Sequence, residues 1–192
     1  MKNVFDRSDY RGWNIFRWLK LFVFDLKCCR ERITKGYCQK DLWNIDYWFL
    51  VVMSDMLSEF NQTTCSTPGR LMEKFPGESG HKEWEAILSK MSFLLNEANE
   101  YTCKWINPYA EEHDKAFCEF EEKYGIAGEK LLTDEERSDK HTRRIHFMSE
   151  IPEYAYIDEP YKTAEKESWN YRNQCKDEAL SLFSEWFWSL WD

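Results

Sequence analysis

From Leu42 onward apolar residues recur at intervals of three and four. Leu42, Ile45, Phe49, Val52, Met53, Met56 and Phe60 fall on one side of a helix with 3.6 residues per turn. No other feature narrows the fold as much. The same spacing returns in Trp84, Ile87, Leu88, Met91, Leu94, Leu95 and Ala98, and again in Ala179, Leu180, Phe183, Trp186, Phe187, Leu190 and Trp191. Near the start, Ile15, Trp18, Leu19, Phe22 and Leu26 share a face that Trp13, Phe16, Val23 and Phe24 broaden. Such stripes predict an all-α chain.

Punctuation supports the periodicity. Asp41 is placed to cap the helix that follows, and Asn107 before Pro108 reads as a cap with a first-turn proline. Thr133 and Glu136 have the spacing of a capping box, and a last helix is expected from Tyr161 to Trp191. Thr64 to Gly80, with Pro68, Gly69, Pro76 and Gly77, reads as the longest irregular connection. Tyr154 and Tyr156 alternate within Ile151 to Ile157, but Pro152 and Pro160 bracket the run and nothing pairs with it, so an extended loop is expected. The 192 residues suffice for one core, and the expectation is a single domain over 1–192, an irregular bundle of about six helices.

Composition fits that reading. The chain has 10 Trp, 10 Tyr and 13 Phe, and each buried ring removes about 150–250 Å² from water. Seven cysteines, an odd number without metal-ligand or secreted-framework spacing, imply reduced thiols and a cytoplasmic setting. The apolar run from Trp13 to Leu26 is too short for a membrane span and contains Arg17 and Lys20; no signal-peptide cleavage site follows it. No membrane partner is expected.

The net charge of −9 is unevenly distributed: residues 1–40 hold 10 Lys or Arg against 4 Asp or Glu, leaving −15 on the remainder. An acidic majority argues against general nucleic-acid binding. The basic segment suits a small anionic ligand, or neutralisation against the rest of the fold.

No phosphate-binding glycine loop, dinucleotide fingerprint or nucleophile elbow is present, and no cofactor is expected. His113 shares a helix face with Tyr109, Ala116, Phe117 and Phe120, which suits the edge of a core better than a metal site. Around His141 and His146, Arg143 and Arg144 offer planar donors for a phosphate, although a basic stretch after acidic Asp134 to Glu136 also satisfies the helix dipole. His81 and Glu83 suit a solvated helix start. The best ligand candidate is the stretch from Tyr37 to Tyr47, where Trp43 and Tyr47 could stack a planar group beside Asn44 and Asp46. The candidate binding residues are therefore Tyr37, Trp43, Asn44, Asp46, Tyr47, Arg143 and Arg144.

Three blocks carry a resemblance. Gly36, Tyr37, Cys38, Gln39, Lys40, Asp41, Leu42, Trp43, Asn44, Ile45 and Asp46 form the first; Glu83, Trp84, Ile87, Leu88 and Met91 the second; Phe187, Trp188, Ser189, Leu190, Trp191 and Asp192 the third. Together they resemble, over about half the chain and in the same order, an uncharacterised family of small helical proteins from tailed phages and prophages. The resemblance implies a viral origin, an accessory role in the infected cell and no catalytic residue. Binding is then favoured over catalysis. The leading expectation is an anti-defence sponge that sequesters a nucleotide immune signal. The alternatives are an acidic inhibitor of a host effector protein, and a metal-dependent nucleotide hydrolase using Asp46, His113 or His146. Homo-oligomerisation is left open.

Overall fold

The computed structural model describes residues 15–138 and 144–191. Among them there are seven α-helices, several short 3-10 turns and no strand: α1 Ile15–Lys35, α2 Ile45–Thr63, α3 Gly69–Lys74, α4 Glu78–Ala98, α5 Ala110–Tyr124, α6 Asp134–Ser138 and α7 Pro152–Trp186. The chain is all-α. No helix among the described residues is long and apolar enough to cross a membrane. The described residues divide into two compact units, one of 15–102 and 175–191, the other of 103–138 and 144–174.

In the first unit α2 packs on α4. The predicted α4 stripe is buried through Trp84, Leu88, Met91, Leu94, Leu95 and Ala98. The α2 side is less apolar than its stripe suggests, since its buried residues are Ser54 and Leu57. Ser54 Oγ lies 3.1 Å from both the main-chain oxygen and the hydroxyl of Ser92. Ser92 Oγ in turn donates to the Ser54 carbonyl at 3.0 Å, and Asn96 Nδ2 donates to Ser54 Oγ at 2.6 Å. A hydroxyl that reaches the main chain of the opposite helix requires the two backbones to approach closely. At one end of the unit Trp84 meets Trp186 with ring centroids 5.4 Å apart, and the Arg70 guanidinium lies 4.0 Å from the Trp186 ring centre while pairing with Glu185.

The second unit is centred on Ala116, Phe120, Met148, Tyr154 and Ile157, with Tyr124, Leu131 and Ile151 against them. Asn107 does not cap the helix as expected but lies two residues before its N-cap, Tyr109; its side-chain oxygen accepts the Tyr109 N–H at 3.0 Å in the turn that leads into α5, and its amide donates to the Tyr161 carbonyl and Glu165. The capping box also forms, with the Thr133 N–H donating to Glu136 at 2.9 Å and the Glu136 N–H donating to the Thr133 hydroxyl at 3.2 Å.

Three further local expectations are corrected. Residues 152–157 are the first turns of α7 and not an extended loop. Pro152 sits where a helix needs no N–H, and Tyr154 turns into the core. Pro160 lies inside the helix, where it removes the hydrogen bond to the carbonyl of exposed Tyr156. The connection from Thr64 to Gly80 contains α3, entered through Pro68, whose carbonyl accepts the N–H groups of Leu71 and Met72. Asp41 does not cap α2; its carboxylate turns back towards α1, and a 3-10 turn over Asp41–Asn44 precedes α2.

Candidate functional site

Helix α1 carries apolar residues on one side and a mixed polar side opposite. The polar side is the one held by the fold. Asp25 and Cys28 are fully buried, and Arg32 is mostly so. Their partners come from the turn that follows the helix. Arg32 grips both oxygens of Asp41, which also accepts the Cys38 N–H at 2.7 Å. Lys40 pairs with Asp25 at 2.7 Å, and the Cys38 thiol is buried against Cys28. Burial alone would raise the Asp41 carboxyl, but Arg32 and the Cys38 N–H outweigh it and hold the group below its usual range. Burial also pushes the Cys28 thiol up, aided by Cys38.

This anchoring turns the α1 stripe outward, away from where an apolar helix face ordinarily packs. Phe16 is 82% exposed and Ile33 85%, and Leu19, Val23 and Leu26 are exposed as well. The physical reason is the complementary quartet of Asp25, Arg32, Lys40 and Asp41, whose buried charges each gain an opposite charge only if the polar side faces inward. The signal was present in the spacing, since Asp25, Cys28 and Arg32 share one side of the helix and Lys40–Asp41 follow within a short turn.

The predicted ligand stretch emerges from the same turn. Trp43 is the most exposed of its residues, at 89%, and Tyr37, Asn44 and Asp46 also face solvent. Tyr47 is half-buried, edge-on to Tyr101 with centroids 5.4 Å apart. Asn44 occupies the N-cap position of α2 without a side-chain hydrogen bond to it. These five candidates belong to the first unit.

Arg143 and His141 lie outside the described residues. Arg144 belongs to the second unit, where its Nε is 3.1 Å from Glu136. Glu136 is a hub: besides Arg144 and both donors of Thr133, it faces His146 Nε2 at 3.4 Å, while His146 Nδ1 lies 2.7 Å from Glu150. The Glu150 hydrogen bond, supported by Glu136, raises His146 above its ordinary value, and the Thr133 N–H helps hold Glu136 below its own. The donors proposed for a phosphate thus include one already paired with a carboxylate.

His113 has the edge-of-core environment its spacing suggested. Its ring stacks on Tyr161 at 3.7 Å between centroids, and Nε2 lies 3.3 Å from the buried carboxylate of Asp158. Burial would raise the Asp158 carboxyl; Lys162, 2.5 Å away, and His113 reverse that and lower it. Asp46 lies in one unit and His113 and His146 in the other. Among the described residues no group of three or more His, Cys, Asp or Glu is placed to hold a metal ion.

No protein-family model, curated protein or solved structure matches this chain.

Proposed function

We propose that this chain is an accessory binding protein, of the phage kind that the resemblance implies, and that it works through the exposed surface of α1 and the adjoining turn that carries Trp43. The observation that supports this most is the outward placement of the α1 stripe. Large apolar side chains grouped along one exposed helix face are uncommon on a monomer and mark interaction surfaces. Leu42, Trp43 and Ile45 extend the exposed apolar character into the next element.

The test compares the full chain with a Leu19→Ser/Trp43→Ala variant in bacterial extract separated into soluble and particulate fractions. The wild-type chain is expected to be retained by one fraction and the variant to be released. Equal retention of both would refute the reading.

A second reading, the nucleotide sponge, is favoured by one specific observation: the Trp43 ring is 89% exposed and free to stack on a planar group. Calorimetric titration with a panel of signalling nucleotides should then give binding that Trp43→Ala removes. No heat from any of them would end that reading.

A further inference from the structure

The outer side of α1 has three properties that together specify its counterpart. The first is apolar reach. Phe16, Leu19, Val23, Leu26 and Ile33 run along the helix for about 26 Å at 1.5 Å per residue, all exposed. The second is charge. The exposed charged residues on or flanking that side are basic: Lys20, Lys27 and Arg30. The two acids of the segment are withdrawn, Asp25 by burial and Glu31 between Lys27 and Lys35. The third is access. Between Asp25 and Arg32 the opposite side is occupied by the Asp25–Lys40 and Arg32–Asp41 pairs and by Cys28 against Cys38, so there a counterpart can approach only from the apolar side.

Resting on the binding role proposed above, we propose that α1 lies flat on an anionic lipid surface, with its apolar stripe at the headgroup–acyl boundary and its lysines and arginines at the phosphates. Lys20, which opposes a span, flanks the apolar stripe and suits a helix lying in the interface plane. The inference departs from the expectation of no membrane partner, which rested on spanning. A groove that wraps the helix would need the side already taken by the fold. A second copy suits the three-four spacing, but it would set Lys20, Lys27 and Arg30 against the same cations, with Arg30 in the seam, whereas at a lipid surface the long Arg30 side chain can extend to the phosphates.

Flotation of the full chain with vesicles tests this. Vesicles of phosphatidylglycerol mixed with phosphatidylcholine should bind it more than about tenfold better than phosphatidylcholine alone, and added salt should weaken the binding. Lys20→Gln/Lys27→Gln should lower partitioning by about 25-fold, roughly fivefold for each cation near such a surface. Leu19→Ser/Leu26→Ser, at exposed positions, should abolish flotation and leave the circular dichroism and denaturation midpoint unchanged. Equal binding to both vesicle types, or none to the anionic ones, overturns the proposal. So does a dimer in light scattering that the serine variant dissolves, which would assign the face to a second copy. Retention by a soluble fraction without flotation would overturn the lipid assignment and leave the broader binding role standing.

Discussion

Replacing Ser54 separates two accounts of how α2 and α4 hold together. If the interface were governed by apolar burial, Ser54→Leu would stabilise it, since burying a leucine side chain is worth about 1.5–3 kcal/mol. The geometry predicts the reverse. Ser54 is almost fully buried, and its hydroxyl has neighbours at 2.6 to 3.1 Å on the facing helix. Ser54→Ala removes that hydroxyl and leaves Asn96 without this acceptor, a cost of about 1–2 kcal/mol. Ser54→Leu loses the same bonds and also forces extra atoms between closely approaching backbones, which adds about 1–3 kcal/mol. The expected order is wild type, then alanine, then leucine, with leucine about 2–5 kcal/mol below wild type. Urea denaturation followed by far-ultraviolet circular dichroism measures it, with matching m-values showing that stability alone has changed. A leucine variant as stable as wild type would refute the close approach and with it this account of the α2–α4 packing.

Two further predictions concern the second unit. His146 gains stability as a cation between Glu150 and Glu136, so its contribution is full below its ordinary value of 6.5 and fades as pH rises through the raised folded value. His146→Gln should therefore cost up to about 1 kcal/mol near pH 6 and much less near pH 9, read from denaturation midpoints; a cost that grows with pH would contradict the assignment. Gly128 has φ of +67°, and an added Cβ would stand 2.8 Å from the His146 Cβ. Gly128→Ala should then cost about 2–3 kcal/mol, and a loss below about 0.5 kcal/mol would show that this turn is not tightly packed.

Legibility differed by element according to which force decides it. The α4 stripe and the Thr133–Glu136 box were readable because burial and capping are local in sequence. Helix α3 was hidden by Pro68 and Gly69, which read as loop residues although a proline before a first turn is compatible with a helix. Pro152 misled in the same way at the start of α7. The direction of α1 needed more than periodicity: a stripe shows which residues share a face, and charge pairing with Lys40 and Asp41 decides which face turns inward. Of the candidate ligand residues, Tyr37, Trp43, Asn44 and Asp46 are exposed and Tyr47 is half-buried. The commitment of Arg144 to Glu136 depends on residues brought together by the second unit and could not be read from spacing.

The quartet of Asp25, Arg32, Lys40 and Asp41 divides the labour of one helix between its two sides. Folding draws on the ionic side, so the hydrocarbon on the other is held in reserve, contributing little to the native state of the isolated chain. Changes along Phe16, Leu19, Val23 and Leu26 can then tune affinity for whatever the chain meets at almost no cost in foldedness, whereas a change of charge at Asp25 or Asp41 would alter both at once.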